Sequence, residues 1–440
     1  MVRLGRKTEK LSVSVSKYRG IVNMNRKNKL IRIATAGSVD NGKSTLIGRL
    51  LYDTKSLASD KIEAIKKQSA AKGYEYLDFS LATDGLVAER EQGITIDVAH
   101  IYFATPRSRY IIADTPGHAE YTRNMVTGAS TSDVALILVD ARKGITEQTI
   151  RHFYIIHLLS MQKILIFINK MDLVGYSEEV FDAIGNDFKT LLAKTDYEPS
   201  RVEYLPISAL YGENVITSSQ AMPWYVGSTM LSWLDNLEIE KDYNHSARFQ
   251  VQYVLRPKTH EYHDFRGLTG MLTGSSLSQG DKVTVLPGGK VTTISSIHFH
   301  DQEYLKAEAG SSITLVLEDD LDVSRGDMIV KYGQLPYEDN TLKATLCQVN
   351  KSSLRKGDRY IFQAGVKGLL AKVEQVTGIH NMDLSMGTDK AEVGLNEIAD
   401  VVLKLNKPLQ YDPYEINAAH GSFILIDEGN KNTVSVGFIR

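Results

Sequence analysis

The run Gly37-Ser38-Val39-Asp40-Asn41-Gly42-Lys43-Ser44-Thr45 fits the pattern G-x-x-x-x-G-K-[ST]. Its glycines let the backbone wrap so that N–H groups face phosphate oxygens, and a following helix adds partial positive charge at its N-terminus. Lys43 is spaced to reach the β- and γ-phosphates, and Ser44 to place its hydroxyl on Mg²⁺. This loop selects a nucleoside triphosphate without choosing the base. Asn169-Lys170-Met171-Asp172 makes that choice. A carboxylate at Asp172 accepts from both N1–H and the 2-amino group of guanine. Adenine offers neither donor, and each lost charge-assisted bond costs about 1.5–3 kcal/mol. Asn169 is expected to brace the neighbouring loops, and the Lys170 stem to cover one face of the base. The backbone N–H groups of Ser208-Ala209-Leu210 are placed to donate to the guanine carbonyl.

Asp114-Thr115-Pro116-Gly117-His118 supplies the γ-phosphate end. Asp114 is expected to hold Mg²⁺ through its water shell, and Gly117 to let the backbone approach the phosphate. His118 stands where a residue that orients the attacking water is needed. Thr95, within Gly93-Ile94-Thr95-Ile96, completes the metal shell only when the γ-phosphate is present, which makes an order–disorder switch. The expected catalytic groups are therefore Lys43, Thr95 and His118. The expected metal ligands are Ser44, Thr95 and Asp114, and the cofactors are GTP and Mg²⁺.

These groups need a rigid frame. Apolar runs at 30–36, 110–113, 134–139, 164–168 and 202–207 read as strands, and each of the motifs at Gly37, Asp114, Asn169 and Ser208 directly follows one. Helical spacing appears at Leu46, Ile47, Leu50 and Leu51, and over 149–160 and 177–194. Alternation of this kind predicts an α/β domain with a mostly parallel sheet, helices on both faces, and ligand sites at the carboxyl ends of its strands. The segment 57–72, with Leu57, Ile62 and Ile65 on one face, predicts a further helix packed on the core. From 247 onward the texture changes to short alternating runs at 249–255, 282–286, 291–298, 312–317 and 328–331. A second such block covers 342–440 after a turn-rich joint at 335–340. Two small antiparallel β-barrels are predicted. The expected division is a disordered basic tail over 1–29, a GTP-binding α/β domain over 30–240, and barrels over 245–335 and 340–440.

The formal net charge of −2 gives the 440-residue chain no strong pull toward nucleic-acid phosphates, and no nucleic-acid partner is expected. The single cysteine, Cys347, lies in an alternating run and reads as a small core residue of a chain in a reducing cytoplasm. The longest apolar runs fall far below the roughly 18 residues that span a bilayer. The basic N-terminus lacks an apolar core and does not read as a secretory signal; a disordered tail or an over-extended reading frame, with Met24 as the start, is expected, and a phosphate-binding arm or a targeting peptide is the alternative. His298, His300 and Asp301 read as barrel-edge residues, and His260 and His263 as solvated loop residues.

The four nucleotide motifs, in this order, resemble the translation-factor-type GTPases, whose members carry an α/β GTPase domain followed by two β-barrels. Within that class the chain is most similar to the large GTPase subunit of the two-subunit bacterial ATP sulfurylases. Ser38 to Ser44, Gly48-Arg49-Leu50-Leu51-Tyr52-Asp53, the segment from Asp84 to Asp97, Arg256-Pro257, Asp264-Phe265-Arg266-Gly267 and Gly421 to Asp427 carry this resemblance. Asp140-Ala141-Arg142-Lys143-Gly144 departs from the Asp-Gly-Pro segment usual in elongation factor Tu. Asn41, Ala119-Glu120 and His420 depart from the sulfurylase pattern, which bears on the tuning of hydrolysis. The resemblance implies a GTPase that couples GTP hydrolysis to formation of adenosine 5′-phosphosulfate and pyrophosphate from ATP and sulfate. It also implies a separate small catalytic subunit as partner, in a heterodimer. No second phosphate loop follows Ser44, so no fused kinase for the product is expected. The competing readings are an RNA-delivery factor of the translation type and a stand-alone switch.

Overall fold

The computed structural model describes residues 29–440 except 72, 74–75, 83–96, 118–121, 196, 240–244, 257–264, 300–301, 381–385 and 388–391. Thr95 and His118 lie outside the described residues, as do residues 1–28 of the basic tail expected over 1–29, His260, His263, His300 and Asp301; Lys29, the last residue of that tail, is strand instead.

Six strands form the first sheet: β1 (Lys29–Ala36), β2 (Ala99–Ala104), β3 (Ser108–Asp114), β4 (Val134–Asp140), β5 (Lys163–Asn169) and β6 (Val202–Pro206). Their order is β2-β3-β1-β4-β5-β6. Only β2 runs antiparallel to its neighbour; the other pairs are parallel. Every residue of β4 is buried, because helices cover both faces of the sheet, and such strands read as unbroken apolar runs. Alternate β4 residues divide between two cores. Ala135, Ile137 and Val139 pack with α3 (Thr122–Ala129), α4 (Glu147–Leu158) and α5 (Glu178–Leu192). Val134, Leu136 and Leu138 pack with α1 (Lys43–Asp53) and α6 (Met230–Asn236). Between α1 and the next strand lies α2 (Ser59–Ala71), which buries Ile65 and Ser69. Side-chain caps define the helix starts: Thr146 accepts from the N–H of Thr149 at the start of α4, and Ser177 from that of Val180 at the start of α5.

Two six-stranded antiparallel barrels follow. The first uses Arg248–Leu255, Gly267–Thr273, Lys282–Leu286, Lys290–Phe299, Ser312–Leu317 and Met328–Lys331, and closes by pairing Lys282–Leu286 with Lys290–Phe299. The second uses Tyr337–Gln348, Arg359–Ala364, Lys367–His380, Ile398–Tyr411, Ser422–Ile426 and Thr433–Ile439, closed by the hairpin of Arg359–Ala364 and Lys367–His380. The joint expected at 335–340 is already strand from Tyr337, which pairs with Tyr411. Glu338-Asp339-Asn340 reads as a turn because aspartate bonds its own backbone. Here Asp339 accepts from the N–H groups of Asn340 and Thr341 to hold a β-bulge inside the strand.

The second barrel docks on the α/β domain. Cys347, Val349, Tyr414 and Phe438 join the core cluster of α4 and α5. The Tyr414 hydroxyl donates to the Leu159 carbonyl at 3.2 Å, and the Tyr154 hydroxyl meets His380 Nδ1 at 2.6 Å. Cys347 is thus an interface residue as well as a barrel residue, and burial pushes its thiol up to about 12. No helix among the described residues is long and apolar enough to cross a membrane.

Candidate functional site

The phosphate loop links β1 to α1. Gly37 takes φ 146° and packs against β4, where an added Cβ would meet the Leu138 carbonyl oxygen at 2.8 Å. Gly42, at φ 90°, caps α1, and a Cβ there would strike the Asn169 side-chain amide. The two glycines are therefore demanded by close approach as well as by backbone conformation. Lys43 Nζ donates to the carbonyls of Gly37 at 2.7 Å and Ser38 at 3.3 Å. Burial lowers its pKa to about 8, against the opposing pull of Asp114 and Asp40. Asp114, at the end of β3, is 1% exposed and accepts from Thr35 Oγ1 at 3.0 Å. Gly117 lies so close to Lys43 Nζ and the Gly37 carbonyl that no Cβ would fit. Thr115 and Pro116 between them are buried, and the Thr115 hydroxyl donates to the Thr35 carbonyl.

The base end is built by one side chain that spans three segments. Asn169, at the end of β5, donates through Nδ2 to the Asn41 carbonyl at 2.8 Å. Its Oδ1 accepts from the N–H of Ala209 at 3.0 Å. The phosphate loop and the Ser208-Ala209-Leu210 loop are thereby fixed relative to each other. Lys170 adopts φ 65° and turns the chain into the short helix Met171–Val174, which carries Asp172. Met171 is fully buried, and its N–H donates to the Ile207 carbonyl, tying this turn to the end of β6. Ser208 is buried and accepts through Oγ from the N–H of Tyr211. Asn41 donates to the Leu138 carbonyl at 2.7 Å, so its amide serves the loop's shape.

Between these ends lies a cavity of about 540 Å³, lined by Val39, Asp40, Gly42, Lys43, Ser44, Thr45, Ser80, Gly117, Arg142, Lys143 and Lys170. The sequence motifs account for most of it. They do not account for Arg142, Lys143 and Ser80. Arg142 and Lys143 sit just beyond β4, and the rule that ligands bind at the carboxyl ends of parallel strands is the signal that finds them. Asp140 orders the group: its carboxylate accepts from Arg142 Nε and Nη2 at 3.0 and 2.6 Å and from Lys170 Nζ at 3.0 Å. Burial alone would raise its pKa, but these hydrogen bonds outweigh it and hold the carboxyl well below the ordinary range. Arg49 is a second unforeseen brace. It bonds Asp53 at 2.7 Å and the Leu210 carbonyl at 3.2 Å, which fastens α1 to the base loop. The bond to Asp53 is an i,i+4 pair within α1, but the bond to Leu210 spans 161 positions and no local motif signals it. His298 bonds Ser296 at 2.8 Å on its strand.

Residues 28–240 match the family described as the elongation factor Tu GTP binding domain. Residues 341–440 match the one described as GTP-eEF1A C-terminal domain-like. Over 420 residues the chain is 45% identical to the sulfate adenylyltransferase subunit 1 of Bacteroides fragilis, covering 93% of this chain and 86% of that protein. The chain belongs to the sulfate adenylyltransferase subunit 1 family. The subunit 1 of Alteromonas mediterranea is 43% identical over 419 residues, covering 94% of this chain and 87% of that one. The bifunctional enzyme CysN/CysC of Mycobacterium tuberculosis is 44% identical over 415 residues, 93% of this chain and 67% of that protein. The chain is a GTPase and binds GTP.

Proposed function

We propose that this chain is the GTPase subunit of a two-subunit sulfate adenylyltransferase. The small subunit joins the α-phosphorus of ATP to a sulfate oxygen, and pyrophosphate leaves, giving adenosine 5′-phosphosulfate. This chain hydrolyses GTP to GDP and phosphate. A phosphosulfate anhydride is harder to make than the anhydride it replaces, so coupling to GTP hydrolysis moves the overall equilibrium toward product. The observation that carries the reading is kinship with subunit 1 proteins over more than nine tenths of the chain, on a loop and base site suited to a guanine nucleotide. The partner is accordingly the small catalytic subunit, and the setting the cytoplasm.

Within the site, Lys43 and the loop N–H groups bind the β- and γ-phosphates, and Asp172 with the Ser208–Leu210 loop reads guanine. The donors also fit a metal. The Ser44 hydroxyl lines the cavity, and the Asp114 carboxylate lies near enough to Lys43 to act on its charge; both are oxygen donors of the kind Mg²⁺ takes beside phosphate and water. Bound there, Mg²⁺ would neutralise developing phosphate charge. Thr95 is assigned to complete this shell and His118 to orient the attacking water. Without an arginine or its equivalent at the transition state, intrinsic rates are about 10⁻⁴–10⁻² per second. Slow hydrolysis by the isolated chain and acceleration in the complex are expected.

The test is pyrophosphate release from ATP and sulfate by this chain with its small subunit, with and without GTP. GTP-dependent release with matching GTP consumption is the expected result. Release indifferent to GTP, from a protein that still binds it, would overturn the coupling.

A further inference from the structure

Both polar groups of Gly37 are held. Its carbonyl accepts from Lys43 Nζ at 2.7 Å, and its N–H donates to His152 Nδ1 at 3.1 Å. His152 lies on α4 and is 1% exposed. An Nδ1 that accepts puts the proton of the neutral ring on Nε2; the Gln148 atom 2.9 Å from it is the carboxamide nitrogen, so the amide must turn its oxygen toward that proton. Burial, with Lys43 and Arg151 nearby, lowers the ring's pKa to about 3, so it stays neutral across the physiological range. A protonated ring would turn a donor against the Gly37 N–H. Helix α4 grips the loop at a second point, where Thr146 Oγ1, its N-cap, meets Ser38 Oγ at 3.1 Å. Two residues beyond His152, Tyr154 docks the helix on His380 of the second barrel. The anchor of the phosphate loop is therefore itself steadied from outside the α/β domain.

We propose that His152 is a positioning residue for nucleotide binding: its Nδ1 fixes the Gly37 N–H, and with it the direction of the carbonyl that aims Lys43. The lysine ammonium has three donors. Two go to the Gly37 and Ser38 carbonyls, which leaves one for a ligand. If the Gly37 backbone turns, that aim is lost, because the carbonyl it presents to Lys43 Nζ turns with it. His152 reaches the nucleotide only through the loop. The inference rests on the reading of this cavity as a GTP site and is independent of the sulfurylase assignment.

The test measures GTP and GDP affinity of the full chain, as wild type, His152→Leu and His152→Asn, beside the melting temperature without nucleotide. Leucine removes the acceptor and leaves a buried N–H unsatisfied, so nucleotide affinity should fall about tenfold to a hundredfold. The asparagine Oδ1 can take the place of Nδ1 and should restore affinity to within about threefold. Affinities of the folded variants equal to wild type, with only the melting temperature lowered, would overturn the proposal in favour of a packing role. If the wild type binds no guanine nucleotide, the GTP-site reading itself fails, a distinguishable result. Should the leucine variant not fold, ¹⁵N NMR of histidine-labelled wild type decides: an Nε2–H ring with an accepting Nδ1 is expected, and an Nδ1–H ring would refute the role.

Discussion

Asp140, at the end of β4, and Asp412, beside the junction of the two barrels, each receive a guanidinium through Nε and Nη2. At the barrels the pair is sealed: Arg248 and Asp412 side chains are 4% and 6% exposed. The remaining Arg248 nitrogen donates to the Ala247 and Gln334 carbonyls, so every direction ends inside the protein. At the nucleotide cavity the carboxylate is equally buried, but its partners Arg142 and Lys170 reach the cavity wall. The same fork thus serves two ends. Where both partners are enclosed it dictates how two domains meet. Where the cations keep a free side, a buried carboxylate holds them at the edge of a cavity. Burial of the acid does not separate the cases; access to its partners does.

The largest expected effect tests the sealed pair. Asp412→Ala leaves Arg248 charged and buried, so urea unfolding should show a loss of about 3–5 kcal/mol. Nucleotide affinity of the protein that remains folded should be unchanged. A parallel loss of affinity would break the division between the two regions. Next comes the base end. Asp172→Asn should lower GTP affinity roughly tenfold to a hundredfold and favour xanthosine triphosphate, whose 2-oxo group accepts from an amide. Competition binding reads this directly, and an unaltered base preference refutes the guanine assignment.

A smaller effect distinguishes the open carboxylate. Because the folded pKa of Asp140 is depressed, its stabilising contribution is present above the ordinary carboxyl pKa of about 4 and is lost as pH falls further. Urea melts should therefore show wild type above Asp140→Asn at pH 7, with the gap closing in acid. A gap that stays constant down to pH 3 would mean the charge is idle. The smallest effect concerns Lys43. Its pKa of about 8 in the nucleotide-free site should rise when phosphates arrive, so GTP binding at pH 8 takes up about half a proton. Calorimetry in buffers of different ionisation enthalpy measures this; no uptake would place the phosphates away from Lys43.

The chemistry of the site was legible in the sequence because it is written in short contiguous runs. A loop that must wrap phosphate needs its glycines and lysine at set spacing, and the base recognition we propose falls within the four residues Asn169 to Asp172. The strand runs were legible for a related reason: burial of β4 and β5 on both faces forces unbroken apolar stretches. The change to alternating runs after 247 likewise marked the barrels, in which strands such as Arg359–Ala364 turn every second residue inward. What tertiary structure alone decided are pairings between segments far apart. His152 meets Gly37 across 115 positions, Arg49 meets Leu210 across 161, and Arg248 meets Asp412 across 164. The Asp140 fork spans only two positions, yet its link to Lys170 and its place at the cavity depend on β4 lying beside β5. Local spacing encodes what one segment must do by itself. A buried histidine or arginine acquires its role only when folding brings it a partner, and nothing in its neighbours along the chain records which partner that will be.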